Sequence, residues 1–204
     1  MSESPQTLNV NEQHRLLDAL RAKDAPHKSF RGGTRNYLIG CLMLEAGLRV
    51  GEVVALRLSD LFFNCKPVLN LVLRSEITKN HKERSVPVST RLKEALEEYF
   101  RNVFTLDDTL DECFAIFTLS PDHPLTTRQV ERIIRSAAME SIGRPVHPHV
   151  LRHTFASRLM RVTDMRTVQE LLGHSNIAST QIYTHPNEDD KKKAIDGIAD
   201  DLSP

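Results

Sequence analysis

The sequence lacks an apolar run of the roughly 20 residues that a membrane-spanning helix requires. Its most apolar stretch, residues 37–46, is short and is interrupted by Glu45. The N-terminal segment MSESPQTLNV is polar and lacks the basic and then apolar build of a secretory signal. Only three cysteines are present, and they form no CxxC pair, which argues against a disulfide framework and fits a reducing cytoplasm. We therefore expect a globular protein without a membrane partner.

Charge of either sign is not in excess, since 27 basic and 27 acidic residues give a net charge of zero. A neutral total argues against nucleic acid as a partner. The distribution argues for it, because residues 126–166 contain eight arginines and three acidic residues, whereas residues 104–123 contain five acidic residues and no lysine or arginine. A basic face of this kind can hold a polyanion, although an ordinary solvated helix surface explains the pattern equally well.

The periodicity of apolar residues predicts a single α+β domain that is mostly α-helical, with one small antiparallel sheet. The predicted helices cover residues 11–22 (capped by Asn11), 35–46, 50–56, 90–101, 127–141, 148–161, 164–173, a segment that contains Tyr183, and 189–200. The predicted strands are 68–74 and 84–88, and residues 76–88 are interpreted as a hairpin around a polar turn at 79–82. Residues 23–33 and 102–123 are predicted to be loops.

Two arginines occur in surroundings that suit phosphate binding. Arg49 follows a predicted helix end, and Glu52, three residues later, is within reach of its guanidinium. Arginine presents a planar fork that matches two phosphate oxygens. His149 and Arg152 are three residues apart on a predicted helix and leave it on the same face, where an imidazole beside a fixed cation suits phosphoryl transfer. The alternatives for these two pairs are a surface ion pair and a solvated helix face.

Several histidines and one tyrosine are weak candidates when each is taken alone. His147, His149 and His153 suggest a zinc site, but no acidic or thiol ligand lies nearby in the sequence and the adjacent arginine would repel a cation, so we expect no metal. His174 follows a predicted helix end and is explained equally well as a polar cap. Tyr183 lies in a polar segment nine residues after His174, where a tyrosine is usually a boundary residue with a hydrogen-bonded hydroxyl.

Together, these segments resemble the motif blocks of the tyrosine site-specific recombinases of the phage integrase family. The block GLRVGE contains the counterpart of the family's first arginine, Arg49. The block HPHVLRHTFAS contains the counterparts of its histidine–arginine pair, His149 and Arg152. The block LLGHSNIASTQIYTH contains the counterparts of its later histidine and its nucleophile, His174 and Tyr183.

The segment TKNHKERSVPV, between the first two blocks, is similar to the family hairpin that carries a catalytic lysine. The resemblance assigns this role to Lys79, although Lys82 lies on the same turn and leaves the choice between the two lysines open. All six positions of the family's active site are therefore filled, and the similarity covers residues 8–185.

The resemblance implies an enzyme that cleaves and rejoins double-stranded DNA in site-specific recombination or integration, without metal, ATP or another cofactor. It implies that Tyr183 forms a 3′-phosphotyrosyl bond while the two arginines hold the phosphate oxygens. His149 would exchange a proton with the tyrosine, His174 would donate a hydrogen bond to the phosphate, and Lys79 would protonate the leaving oxygen. A type IB topoisomerase-like enzyme and a DNA-binding module that has lost catalysis are the alternatives.

The expected organisation is a leader at 1–7, a tyrosine recombinase catalytic domain at 8–187 and a tail helix at 188–204. We expect the family's N-terminal core-binding domain to be absent, because residues 8–20 already resemble the first helix of the catalytic domain. Tails of this family often dock into a neighbouring subunit, which implies self-association, as a tetramer, on DNA and a monomer without DNA. The expected location is the cytoplasm, in association with the nucleoid during the reaction.

Overall fold

The computed structural model of the chain describes residues 7–21, 30–103 and 113–173. Within these ranges the mostly helical α+β architecture predicted from the sequence is confirmed. The helices are α1 (Val10–Arg21), α2 (Phe30–Glu45), α3 (Val50–Ala55), α4 (Leu58–Leu61), α5 (Thr90–Val103), α6 (Thr127–Ile142), α7 (Pro148–Leu159) and α8 (Met165–Leu172). Among these described helices, none is both long and apolar enough to cross a membrane.

Helix α2 forms the centre of the hydrophobic core. Residues 38–44 are all buried, because this segment is apolar on every face and α1, α5 and α7 pack around it. Gly40 permits the close approach of α1, since a Cβ atom at this position would lie 2.8 Å from the side chains of Leu17 and Leu20. The burial of α2 fixes the point at which the chain leaves its C-terminal end, and Arg49 lies just beyond that point.

Side-chain caps define the beginnings of three helices. At α1, the Asn9 side chain accepts a hydrogen bond from the Glu12 backbone N–H at 2.9 Å, and the Glu12 carboxylate accepts one from the Asn9 N–H at 2.9 Å. The prediction that Asn11 caps this helix is therefore wrong, because Asn11 already lies within its first turn. Thr126 caps α6 and Asp164 caps α8. Each cap satisfies an N–H group that has no partner within the helix.

The strands are β1 (Phe62–Phe63), β2 (Lys66–Pro67), β3 (Asn70–Leu73) and β4 (Arg84–Pro87), which form the antiparallel pairs β1–β2 and β3–β4. The second pair is the predicted small sheet, with Leu71 opposite Val86 and Leu73 opposite Arg84. Buried and exposed residues alternate along both strands. Because side chains alternate between the two faces of a strand, Arg84 shares the inner face with Val86, and its guanidinium enters the domain.

Three boundary predictions are wrong in part. Residues 30–33, predicted as loop, begin α2, since packing overrides the low helix propensity of the two glycines there. The predicted hairpin begins too late, because Ser75–Ile77 forms a 3₁₀ turn and the strand that pairs with β4 lies before it. Helix α5 continues to Val103, two residues into the predicted loop at 102–123.

The predicted helix around Tyr183 and the predicted tail helix at 189–200 lie outside the described residues. The predicted leader also lies outside them, except for residue 7. The structural assignments of these segments stay predictions.

Candidate active site

Arg49 lies at the junction of α2 and α3, directly beyond the buried end of the core helix. Gly47 adopts the left-handed backbone conformation (φ 62°), which turns the chain out of α2, and Arg49 is the N-cap residue of α3. Its backbone N–H donates to Glu52 Oε2 at 2.7 Å, and its Nη1 donates to Glu52 Oε1 at 2.9 Å. The predicted Arg49–Glu52 contact is therefore present, and the arginine side chain stays 21% exposed.

Glu52 is a buried carboxylate that also binds a second arginine, Arg84 of β4. Arg84 donates from Nη1 and Nη2 to the two carboxylate oxygens at 2.8 and 2.7 Å. Burial by itself would raise the pKa of Glu52, but the hydrogen bonds and charge of Arg84, the backbone N–H of Arg49 and the charge of Arg152 outweigh it. The pKa of Glu52 therefore lies below its usual value, and a charged carboxylate links the arginines of this region.

Helix α7 carries the predicted histidine–arginine pair. Pro148 occupies the first position of this helix, where a backbone N–H would have no partner within the helix. Arg152 is only 4% exposed. It donates from Nη1 to the backbone oxygen of Gly47 and from Nη2 to that of Leu172, the latter at 2.7 Å. Its guanidinium therefore connects the α2–α3 junction with the C-terminal end of α8.

His149 lies beside these arginines and reaches the surface. Its ring is nearly parallel to that of His147, with ring centroids 5.5 Å apart. Partial desolvation, followed by the charges of His147, Arg152 and Arg49, lowers the pKa of His149 below its usual 6.5, while Glu131 acts weakly in the opposite direction. The imidazole is therefore neutral at pH 7, and a neutral imidazole can accept a proton.

The histidines of α7 also bear on the zinc alternative. The ring centroids of His149 and His153 are 6.4 Å apart. Burial, and then the charges of His149 and Arg152, lowers the pKa of His153. Within residues 7–21, 30–103 and 113–173, no group of three or more His, Cys, Asp or Glu side chains is arranged to hold a metal ion. This face of α7 therefore carries the imidazoles of His149 and His153 beside the buried Arg152.

The turn between the 3₁₀ turn and β4 carries both candidate lysines, Lys79 and Lys82. Both are exposed, and Lys82 lines the cavity between this turn and α8. The Thr78 hydroxyl lies 2.9 Å from the backbone oxygen of Lys82, which closes the turn on itself. Asn80 donates from Nδ2 to the backbone oxygen of Gly173 at 3.2 Å, so the turn is also attached to the C-terminal end of α8.

Four of the six predicted site residues lie within the described part of the chain: Arg49, Lys79, His149 and Arg152. The two arginines and the histidine meet at the α2–α3 junction, where the pKa of His149 responds to both charges. The turn that carries Lys79 is attached to the end of α8. His174 and Tyr183 lie outside the described residues, and in sequence His174 directly follows Gly173, the last described residue.

Two residues of this arrangement, Arg84 and Asn80, are missing from the sequence-predicted site. Arg84 has a recognisable signal, because it lies two residues before Val86 on a strand and therefore faces inward with it, and an arginine at an inward position requires a buried partner such as a carboxylate. Asn80 has no such signal. A polar residue in a turn is ordinary, and its partner lies 93 residues away in the sequence.

Helix α6 presents a row of exposed arginines next to the histidines of α7. Arg128, Arg132 and Arg135 are spaced by four and three residues, so they lie on one side of the helix. The three arginines and His147 line a groove between α6 and the beginning of α7. Glu131 also lines this groove and lies 3.8 Å from the His147 ring nitrogen. The groove is therefore basic overall and adjoins the candidate site.

Comparison with known proteins points to one family. The sequence profile of the phage integrase family matches residues 6–190. The tyrosine recombinase XerC of Pediococcus pentosaceus is 35% identical over 185 residues, which cover 89% of this chain and 58% of that protein. The crystal structure of XerA recombinase is similar with a TM-score of 0.72 and 31% identity, over 93% of this chain and 64% of that chain. The structure of XerH site-specific recombinase bound to difH substrate is similar with a TM-score of 0.67 and 25% identity, over 90% of this chain and 51% of that chain. This chain thus spans little more than half the length of these relatives.

Proposed function

The chain belongs to the phage integrase family, and we propose on this basis that it cleaves and rejoins duplex DNA in site-specific recombination. The observation that carries the proposal is the convergence of Arg49, Arg152 and His149 at the α2–α3 junction. Two fixed guanidiniums beside a neutral imidazole suit a phosphodiester, because negative charge on its oxygens increases as the phosphorus becomes pentavalent. The adjoining basic groove suits the flanking phosphates of a duplex.

We propose that Tyr183 is the nucleophile. Its oxygen attacks the phosphorus while the P–O5′ bond breaks, which leaves a 3′-phosphotyrosyl bond and a 5′-hydroxyl. A phenol with a pKa near 10 is protonated at neutral pH, so the attack requires a proton acceptor. His149 takes the tyrosine proton, and Lys79 gives a proton to the departing 5′-oxygen, so that one proton is removed and one is supplied. Attack of a 5′-hydroxyl on the phosphotyrosyl bond reverses these steps and rejoins the strand.

The remaining groups stabilise the charge of the transition state. Arg49 and Arg152 each hold the non-bridging oxygens, and His174 donates a hydrogen bond to one of them. Cationic side chains surround the phosphate in this arrangement, so the proposed reaction has no step that needs a metal ion. It has no step that needs ATP either, because the phosphotyrosyl bond conserves the energy of the cleaved bond.

The surroundings of the other two tyrosines of the sequence support this choice of nucleophile. Tyr99 is fully buried in α5, and its hydroxyl donates to the backbone oxygen of Ala115. Tyr37 packs beneath Arg21, whose guanidinium carbon lies 4.8 Å from its ring centroid. Burial, and then the neighbouring Cys41, raises the pKa of Tyr37 to about 12. Neither phenol suits attack on a phosphate of bulky duplex DNA.

We further propose a catalytic domain at 8–187 and a tail helix at 188–204 that docks into a neighbouring subunit. The protein would be a monomer without DNA and a tetramer on two recombining duplexes. It would act in the cytoplasm, on the nucleoid. Sedimentation of the protein with and without a duplex that it cleaves tests this assembly, and a stable tetramer without DNA contradicts it.

Covalent capture of DNA tests the proposed activity. The protein is incubated with a pool of duplexes that are nicked within a randomised sequence, so that the short 5′-hydroxyl fragment is lost and the adduct accumulates. Repeated capture enriches the duplexes that the protein cleaves, and a denaturing gel then separates the adduct from free protein. We expect an adduct with the wild-type protein and none with Tyr183→Phe, with DNA binding nearly unchanged because only one hydroxyl is lost.

The matched control for this experiment is Tyr37→Phe, which makes the same chemical change at a half-buried position. It should leave adduct formation unchanged. An adduct with Tyr183→Phe would show that the nucleophile is another residue, and no adduct with the wild-type protein would contradict the proposed activity itself.

A further inference from the structure

The C-terminal end of α8 accepts hydrogen bonds from three separate parts of the candidate site. The donors and acceptors are Arg84 Nε to Leu171 at 3.1 Å, Arg152 Nη2 to Leu172 at 2.7 Å and Asn80 Nδ2 to Gly173 at 3.2 Å, each to the backbone oxygen. The last carbonyl oxygens of a helix accept no hydrogen bond within the helix and carry partial negative charge. Hydrogen-bond donors and cations are therefore stabilised there. Strand β4, helix α7 and the lysine-bearing turn are thus attached to one point.

The three donors are not equivalent. Arg84 is also held by Glu52, and Arg152 is also held by Gly47, so both arginines keep an anchor without α8. Asn80 belongs instead to the turn at 78–82, which also contains local hydrogen bonds. The Thr78 hydroxyl is bonded to the backbone oxygen of Lys82 at 2.9 Å, and the His81 N–H donates to the backbone oxygen of Thr78 at 3.2 Å. Such local bonds preserve the shape of the turn, whereas the Asn80 amide fixes its direction toward α8.

We propose that Asn80 is a positioning residue that holds the turn so that Lys79, its neighbour in the sequence, reaches the departing 5′-oxygen. This inference rests on the proposed function, in which Lys79 supplies that proton. Lys79 is exposed, so its reach depends on the direction of the turn that carries it. An amide suits the task, because Nδ2 donates to the Gly173 oxygen without adding a charge near a DNA phosphate. A carboxylate at this position would direct an acceptor at an acceptor and lose the bond.

Replacement of the leaving oxygen by sulfur distinguishes a role of Asn80 in proton donation by Lys79 from a merely structural role. In a duplex whose 5′-bridging oxygen at the cleaved phosphate is replaced by sulfur, the leaving group is a thiolate. A thiol has a pKa of about 8.5, far below that of an alcohol, so a thiolate departs without receiving a proton. A defect that acts through Lys79 should therefore disappear on the sulfur duplex. A defect in phosphate binding or folding should persist on it.

The experiment compares single-turnover cleavage of the captured duplex in its oxygen and sulfur forms. On the oxygen form, we expect Asn80→Ala and Asn80→Asp to be slower than wild type by about ten- to a hundredfold, the size of loss that a small misplacement of a reacting group causes. On the sulfur form, both variants should approach the wild-type rate. Asn80→Ala should add no further loss to Lys79→Ala, because the two act in one step. Asn70→Asp, the same chemical change on the exposed start of β3, should cleave both forms at the wild-type rate.

Equal losses on the two duplexes would overturn the proposal, and so would losses that multiply in the double variant. Asn80→Ala and Asn80→Asp disturb the turn differently, so at least one folded variant is expected. In that variant, the cleavage rate on the sulfur duplex divided by the rate on the oxygen duplex decides between the two roles. A wild-type protein that cleaves neither duplex would contradict the proposed function instead.

Discussion

At the scale of single residues, Glu52 links two arginines of the candidate site. Its carboxylate binds the backbone and side chain of Arg49 and both terminal nitrogens of Arg84, and its side chain is 1% exposed. Two arginines therefore depend on one buried negative charge. Removal of that charge leaves the guanidinium of Arg84 inside the domain without a counter-ion, which is costly in a region of low dielectric constant.

Neutralisation of this carboxylate should destabilise the fold. For Glu52→Gln we expect the free energy of unfolding in urea to decrease by about 3 kcal/mol, the loss typical of a buried ion pair that is left with one partner. The matched control is Glu170→Gln, which breaks an exposed pair with Arg166 at 3.5 Å. That change should stay within about 0.5 kcal/mol of the wild type. Equal effects of the two substitutions would contradict the role assigned to Glu52.

The pKa of His149 predicts how cleavage depends on pH. The ring must be neutral to accept the tyrosine proton, and its pKa lies below 6.5 in the folded protein. The rate of covalent capture should therefore not change with the protonation of His149 near pH 7, and it should fall as the pH decreases through this lowered pKa. The contribution of His149 to the stability of the fold also decreases at low pH, because the imidazole of the unfolded chain binds a proton before that of the folded protein when the pH falls below 6.5.

A pH series of single-turnover capture, followed for the wild type and for His149→Ala, measures this effect. The wild type should lose activity on an acid limb centred below pH 6.5, and His149→Ala should be slower and lack that limb. An acid limb centred above 6.5, or one that persists in the variant, would assign the titration to another group.

At the scale of elements, α8 brings the parts of the site together through the shape of its C-terminal end. Gly173 follows the helix with φ 62°, and a Cβ atom there would lie 3.0 Å from Cδ and 3.4 Å from Nη1 of Arg84. Gly143 ends α6 in a similar conformation, φ 79°, with open space around the position of a Cβ atom. The two glycines therefore separate the backbone effect from the contact with Arg84.

Alanine substitutions at these two positions form a matched pair. Gly143→Ala should lower the free energy of unfolding by about 1–2 kcal/mol, the cost of a left-handed conformation for a residue with a Cβ atom. Gly173→Ala should lose more, because Arg84 must also move, and it alone should slow covalent capture. Urea unfolding and single-turnover capture give the two quantities. A Gly173→Ala variant with the stability and rate of Gly143→Ala would contradict the importance of this contact.

Most helices of the fold can be predicted from the sequence because their signals are local. The caps at Thr126 and Asp164 and the proline at the start of α7 each act within one turn of the residue concerned. The Arg49–Glu52 contact is predictable for the same reason, since its partners are three residues apart. The family resemblance supplies the roles of the remaining site residues.

The parts that the sequence does not predict depend on distant contacts. Arg84 meets Glu52 across 32 residues, and Asn80 meets Gly173 across 93 residues. The 3₁₀ turn at Ser75–Ile77 likewise lies where the hairpin was predicted to begin, because the register of β4 is set by β3 rather than by the neighbouring turn. Neither the periodicity of the apolar residues nor the spacing of the polar residues along the sequence predicts these pairings.

At the scale of the whole molecule, a neutral protein acquires a basic face through the placement of its charges. Residues 126–166 contain eight arginines, of which Arg128, Arg132 and Arg135 are exposed on α6. Arg144 and Arg158 of the same segment are instead paired with Glu12 and Glu45. Part of the predicted positive segment is therefore paired within the domain, and the exposed arginines of α6 border the candidate site.

Loss of an arginine on α6 should weaken DNA binding in a salt-dependent way. Each phosphate contact that is removed should reduce the slope of log K against log salt concentration by about 0.9. We expect this for Arg132→Ala and Arg135→Ala, measured by titration of fluorescent duplex at several salt concentrations. Arg101→Ala, an exposed arginine on α5, should leave the slope unchanged. An equal change of the slope in all three variants would show that the DNA binds to another surface.

Identification of the residue that carries the DNA shows whether Tyr183 attacks a phosphate that the cationic groups of this chain surround. The covalent adduct is trimmed with nuclease, digested with trypsin and sequenced by mass spectrometry. We expect a nucleotide on the Tyr183 peptide in the wild type, and a rate of adduct formation that is about 10²–10³-fold lower in Arg49→Ala and Arg152→Ala. A nucleotide on any other residue, or full adduct formation without these arginines, would contradict this mechanism.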